Sequence, residues 1–358
     1  MSVGRLSPAL AVLGCATALA LPLTLDAGIY GAPPEVFRVA DTATGDQHAL
    51  IAGEDPPPVW DVAPDRKHIL LNCLPHREPQ DCGGVVVADT HAHGAQVIAR
   101  VPHDELEYSW ASWSPGGKLI AFERLGRRSV APELWLVSAD GSGLHRFARD
   151  AWLGGWSPDS SRIAYVSYRP VPGCGNGGRL VVASVDGRKR WFVSPKQMTA
   201  CPEQEAWSPD GRYIAYVAYV GETQKVFVTE VANGRIHLIG RGSSPQWARD
   251  GRLAYLASAA TGPGPYGIRL SNRDGTNQRT LLRGVWRFGP WSPDGRELPV
   301  TRISDPNRGV SVLETRDRAG RPGAHLDDGA AWGFWLTGYG FWWRKDGRLL
   351  YFRYVGFH

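Results

Sequence analysis

One short phrase returns seven times along this chain and restricts the folds open to it more than any other feature. It reads Trp113-SPGGKLIAF, Trp156-SPDSSRIAYV, Trp207-SPDGRYIAYV, Trp247-ARDGRLAYL, Trp291-SPDGRELPV and Trp343-RKDGRLLYF, preceded by a degenerate copy, Val62-APDRKHILL. The copies stand 40 to 52 residues apart, which is the span of one four-stranded propeller blade. Each position has a physical job. Proline presets the first corner of a tight turn, the Asp side chain accepts hydrogen bonds from backbone N–H groups, and glycine takes a positive φ. The β-branched and aromatic run that follows suits a strand covered on both faces. The tryptophan ahead of the turn is a large apolar body, expected to wedge between neighbouring blades.

After each phrase hairpin comes a second one, as at Leu134-WLVSADGSGLHRF and Lys225-VFVTEVANGRIHLI, where Asp-Gly and Asn-Gly between apolar runs signal hairpin turns. Every repeat thus supplies strands A to D with the phrase at the A–B turn. The ends of the chain complement each other. The last copy stops after strand B at Tyr351-Phe-Arg-Tyr354, whereas Val36 to Ile51 reads as a C–D hairpin without an A–B partner. The predicted fold is all-β, a seven-bladed β-propeller closed by the N-terminal C–D strands on the C-terminal A–B strands, an arrangement that removes exposed sheet edges.

This phrase resembles the TolB-type, or PD40, propeller repeat, a WD40-like family, over nearly all of residues 35–358. The resemblance implies the fold rather than one function, since the family includes the Pal-binding TolB propeller, gating propellers of prolyl oligopeptidase-like proteases and oligogalacturonate lyase. TolB sets its ring, six-bladed, behind an N-terminal α/β domain. The dozen or so residues between the apolar segment and the first hairpin leave no room for that domain, so TolB's partner interactions are not carried over.

Residues 1–25 read as a signal peptide or N-terminal membrane anchor. Arg5 is followed by an uncharged stretch from Leu6 to Leu25, the layout of an export segment and about long enough to span a bilayer. Ala18-Leu19-Ala20 offers a cleavage site, and Val12-Leu13-Gly14-Cys15 resembles a lipoprotein signal with Cys15 as the lipidated residue. Residues 26–34 are a linker, and 35–358 the propeller. Without Cys15, four cysteines remain, an even number that suits an oxidising compartment. Proximity favours Cys73 with Cys82 and Cys174 with Cys201; unpaired thiols are the alternative.

The chain of 358 residues carries a formal net charge of +5, with cations and acids interspersed and no basic block beyond Arg188-Lys189-Arg190. Nucleic acid is therefore not an expected partner. Fifteen tryptophans are unusual. Trp60, Trp110, Trp152 and Trp286 lie just before phrase copies, at the start of inner strands, and are joined by Tyr108, Phe288, Trp335 and Tyr339. Together they line the face opposite the phrase turns, with Glu107 and Glu205, and with Asp104, Glu105, Asp150 and Glu203 nearby. Such a mouth suits stacking on sugar rings or gripping a peptide; inter-blade packing is the plainer role for the indoles, and solvated loop charge for the acids.

Catalytic patterns are missing. There is no G-x-S-x-G elbow and no length for a hydrolase domain. His91 and His93 fall in a turn on the phrase side while His103 falls at the other end of a strand, so the three cannot share an ion. No metal and no cofactor are expected. The sequence thus points to an exported, non-catalytic, monomeric propeller that binds a protein, peptide or glycan of the cell envelope and touches the membrane only through its N-terminal segment. A carbohydrate-active enzyme, lyase or glycosidase, housed in the ring itself is the alternative.

Overall fold

A computed structural model describes residues 35–51, 59–73, 82–100, 106–126, 129, 131–168, 177–196, 198–200, 206–221, 223–257, 266–285, 287–305, 310–328, 341–344 and 346–354. The described chain is all-β: its strands form antiparallel sheets, and no described residue is helical. Four sheets have four strands each, for example Val59–Val62, His68–Cys73, Cys82–Asp89 and Gln96–Arg100 in that order. The fifth is longer and holds three consecutive groups of the same plan. They merge because Ile236–Trp247 runs unbroken from the outer position of one group to the inner position of the next. Thr199–Ala200 adds a second bridge, pairing on one side with Gly178 and on the other with Ala218 and Tyr219.

The phrase sits at the A–B turn of each group, and its chemistry is as the sequence requires. Ser208 donates its hydroxyl to Asp210 (2.6 Å) and accepts the Tyr213 N–H (2.9 Å), while Asp210 accepts the Arg212 N–H (3.0 Å). Ser157 and Ser292 repeat the pattern at the same spacing. Gly211 and Gly295 occupy the left-handed region at φ +66° and +70°. Where the phrase lacks that glycine, Arg66 and Ser160 are forced into the same region, at φ 62° and 61°, a conformation that non-glycine residues rarely adopt.

The core lies between sheets. Tyr213–Val220 is buried over its first six residues because both faces of the strand are covered. Each cluster of buried apolar side chains draws on two neighbouring groups. Trp60, Leu70 and Val85 meet Trp113, Ile120 and Phe122. Trp156 and Ile163 meet Ala121, Leu134 and Leu136. Leu253 and Tyr255 meet Tyr213 and Val228, and Phe288, Trp291 and Leu298 meet Leu256, Ile268 and Leu270.

The phrase tryptophans pack as expected. Trp113, Trp156, Trp291 and Trp343 are buried and Trp207 and Trp247 half-buried. Four of them also reach back to the preceding group with the indole N–H. Trp156 donates to Ser112 Oγ (3.1 Å), Trp207 to the Gly155 carbonyl (3.3 Å), Trp247 to Ala206 (2.8 Å) and Trp343 to Pro290 (2.8 Å). In each case the acceptor residue stands immediately before the neighbour's phrase tryptophan.

The two ends of the described chain share one sheet, ordered Gln47–Ile51, Glu35–Ala40, Leu349–Tyr354, Phe341–Trp343. Val36 is opposite Arg353, Phe37 opposite Phe352 and Ala40 opposite Leu349. Val39, Ile51 and Leu350 pack on Val59, Ile69 and Leu71. On the other face Ala40, Leu349 and Tyr351 pack on Leu313 and Leu326. A polar cluster is buried at the second junction. The Tyr351 hydroxyl donates to Asp327 Oδ2 (2.7 Å) and lies at hydrogen-bond distance from the Gln47 amide, with Arg38 Nε 4.0 Å from the same carboxylate.

Candidate functional site

The aromatic residues ahead of the phrase copies divide into two sets. Trp60 and Trp152 are 6% and 8% exposed, held within inter-sheet clusters, so their faces are occupied by core packing. Phe288 is likewise buried, against Leu298 and Val300. Trp110 differs: it is half-buried and packs against two clusters at once, leaving part of its surface in solvent. Tyr108 and Glu107 belong to the strand Leu106–Trp113, where the backbone pairs Tyr108 with Arg124 and Glu107 with Leu125. Asp150 is exposed at a turn with φ 48°. Trp286, Trp335, Tyr339, Glu205, Asp104, Glu105 and Glu203 lie outside the described residues.

Of the cysteines, Cys73 and Cys82 are directly opposed in paired strands. Cys15, Cys174 and Cys201 lie outside the described residues. His91 and His93 are exposed, their rings stacked 6.0 Å apart beside Asp89; His103 is outside the described residues. Among the described residues no group of three or more His, Cys, Asp or Glu side chains is arranged to hold a metal.

Two places with unusual electrostatics were not singled out by the sequence. The first is Asp61, at the degenerate repeat. Where Val62 replaces tryptophan, the bonding is inverted: Asp61 accepts the Trp342 indole N–H (3.0 Å), the Trp113 backbone N–H (2.8 Å) and the Val62 N–H (2.7 Å). One carboxylate therefore links three groups. Burial pushes its pKa up to about 6, against the pull of those donors and of Arg66. The signal was present in the sequence, since an acid beside the one missing phrase tryptophan is an exception to the repeat.

The second is a cleft of about 380 Å³ on the phrase-turn side, between the groups that begin at Ala151–Trp156 and Ala206–Trp207, lined by Arg162, Trp191, Asp210, Arg212, Glu230 and Val231 among others. Arg162 is fixed there, stacking over Trp207 at 4.9 Å and donating to the Gly211 carbonyl (3.0 Å). Trp191 is oriented by its indole N–H, which donates to the Val231 carbonyl (3.3 Å). Its only sequence signals are the arginine that follows Asp-Gly in the phrase and the basic run ahead of Trp191.

Groups of four antiparallel strands, each repeating one turn phrase and packed face to face through a tryptophan, define a β-propeller. The repeat is of the TolB, or PD40, type. The chain is 32% identical over 102 residues, 27% of its length, to the Tol-Pal system protein TolB of Francisella tularensis subsp. tularensis, and 37% identical over 75 residues to that of Hahella chejuensis. These matches cover 23% and 17% of the relatives, so the chain spans about a quarter or less of the curated relatives it matches. No protein-family model matches. Among solved structures, a putative TolB from Agrobacterium tumefaciens aligns with 91% of this chain and 100% of its own at a TM-score of 0.51 and 14% identity. An oligogalacturonate lyase from Vibrio parahaemolyticus aligns with 77% of this chain and 81% of its own at 0.58 and 14%. At such identities the likeness is one of fold.

Proposed function

We propose that this chain is an extracytoplasmic, non-catalytic, seven-bladed propeller that binds a protein partner of the cell envelope. The observation that carries the reading is the TolB-type repeat itself, which runs through every sheet. The relatives that share it are named as Tol-Pal system proteins, which favours a protein partner over a peptide or glycan. The ring is read as closed because the sheet built from both chain ends packs against its neighbours on either face. On this reading residues 1–25 direct export or anchor the chain, 26–34 are a linker, and Cys73–Cys82 and Cys174–Cys201 staple loops on the mouth. Trp110 is the mouth aromatic with surface to offer, alongside Trp286, Trp335, Tyr339, Glu107 and Glu205.

The test is capture from envelope extract by the full chain, with chemical cross-linking and identification of the captured protein, repeated with Trp110→Leu. A single partner, lost in the variant, is expected. Release of unsaturated or reducing sugar ends from envelope glycans by the purified chain would instead establish the alternative, a carbohydrate-active enzyme in the ring.

A further inference from the structure

The cleft on the phrase-turn side sets two arginines against two carboxylates, and Arg212 keeps most of its side chain in solvent. Both of its carboxylates are already engaged. Asp210 accepts from Ser208 Oγ and from the Arg212 N–H, and Glu230 accepts from Asn233 Nδ2 (2.8 Å). The Arg212 guanidinium has a side chain 64% exposed, and its nearest carboxylate, Glu230, stands 3.6 Å away, beyond good hydrogen-bond geometry. Among the described residues, no hydrogen-bond acceptor lies at bonding distance from this planar fork of donors, which stands over the Tyr213 ring at 5.6 Å. The opposite wall is apolar: Trp191 is half-buried and Val231 buried.

A second observation concerns the backbone beside the cleft. Trp191 belongs to Arg190–Phe192, a three-residue strand on the outside of its sheet that pairs, among the described residues, only with Gly178–Ser184. Among the described residues its other edge is unpaired, and the next side chain, Phe192, is 52% exposed with Arg179 stacked on it at 3.6 Å. The run Arg188-Lys189-Arg190 leads into this strand, and Arg188 is 86% exposed. An unpaired edge offers main-chain hydrogen bonds to an extended segment, with side-chain pockets supplying selectivity.

We propose that this cleft and the adjoining strand edge form a second binding site, for an extended peptide segment carrying a carboxylate side chain flanked by aliphatic residues. The carboxylate pairs with the Arg212 fork, the neighbouring aliphatic side chain lies against Trp191 and Val231, and the peptide backbone adds to Arg190–Phe192. The free edge selects peptide over acidic polysaccharide, which has no matching row of N–H and C=O groups. This site is independent of the mouth on the opposite face.

The experiment is fluorescence polarisation with the full-length protein and a fluorescein-labelled Gly-Ser-Val-Glu-Val-Glu-Ser-Gly peptide, against its Glu→Gln counterpart and with polygalacturonate as competitor. The Glu peptide is expected to bind at least tenfold more tightly than the Gln peptide, a difference that shrinks as salt is added. Arg212→Glu is expected to weaken binding tenfold or more and Arg212→Lys to an intermediate degree. The exposed position leaves the thermal melt unchanged in both variants, while Trp110→Leu leaves peptide binding intact. No binding, equal binding of the two peptides, insensitivity to Arg212→Glu, or displacement by polygalacturonate at matched carboxylate concentration overturns the proposal. Loss of binding in Trp110→Leu alone would assign the peptide to the mouth instead.

Discussion

Tyr351→Phe isolates the polar cluster where the sheet made from both chain ends meets its neighbour. The ring stays in place, packed with Ala40, Leu313 and Leu326, so the apolar contribution is retained. What disappears is the hydroxyl that donates to Asp327, a residue only 2% exposed, and that also meets the Gln47 amide. A hydrogen bond to a buried charge is worth about 1.5–3 kcal/mol, and Arg38 stays 4.0 Å from the carboxylate, too far to replace the lost bond. The expected loss is about 2 kcal/mol. In urea, with a slope of about 3 kcal/mol/M, the unfolding midpoint falls by roughly 0.7 M. Removing both partners, Tyr351→Phe with Asp327→Leu, deletes the shared hydrogen bond once rather than twice, so the double variant is expected to lose at least about 1 kcal/mol less than the sum of the single changes, although Arg38 loses its carboxylate in both backgrounds that lack Asp327. A single-variant loss under about 0.5 kcal/mol, or strict additivity, would refute the reasoning.

Four further outcomes follow from the same geometry. Asp61 has a folded pKa of about 6, above its ordinary 3.8, so its ionised form opposes folding above pH 6 and that penalty fades as pH falls toward 4. The stability of the native chain relative to Asp61→Asn is therefore expected to rise by up to about 3 kcal/mol between pH 7 and pH 4, measured by denaturant titration at each pH, and a flat difference would count against it. Burial pushes the Tyr216 hydroxyl up to about 12 and raises Tyr351 well above its usual range. Stability is therefore expected to be intact below pH 10 and to drop as pH rises beyond it, with less of a drop in the Tyr351→Phe variant. Gly242→Ala is expected to cost more than about 3 kcal/mol or to prevent folding, because an added Cβ would stand 2.0 Å from the Leu256 carbonyl at φ +151°; expression and melting temperature report it. Trp247→Phe is expected to lose about 1 kcal/mol with its bond to Ala206, as read from the same urea titration.

Much of the architecture was legible because the repeat states it several times. A turn phrase that carries its own hydrogen-bond donors and acceptors leaves little freedom in where strands begin, and the half-blades at the two ends had only each other to pair with. The functional reading of the aromatics was harder. Trp60, Trp110 and Trp152 all stand within four residues ahead of the phrase position, yet the packing of adjacent sheets decides which indole is covered, and periodicity in one dimension does not register that. Asp61 and Arg212 escaped for a related reason. Each looks like ordinary turn decoration until a residue 18 to 281 positions away supplies or withholds a partner.

The pairing of Glu35–Ala40 with Leu349–Tyr354 also constrains how the molecule is made. Glu35–Ala40 must wait, one side bare, until more than three hundred further residues have emerged and Leu349–Tyr354 can pair with it. A nascent chain released before these residues would display an adhesive backbone edge and an uncovered Ala40. Any chain cut short before Leu349 thus keeps that edge exposed, which makes it visible to chaperones and proteases. It also means that a circular permutant joined across residues 354 and 35 and opened at the Gly187 turn should assemble faster, with every sheet drawn from a continuous stretch of chain except the one newly cut.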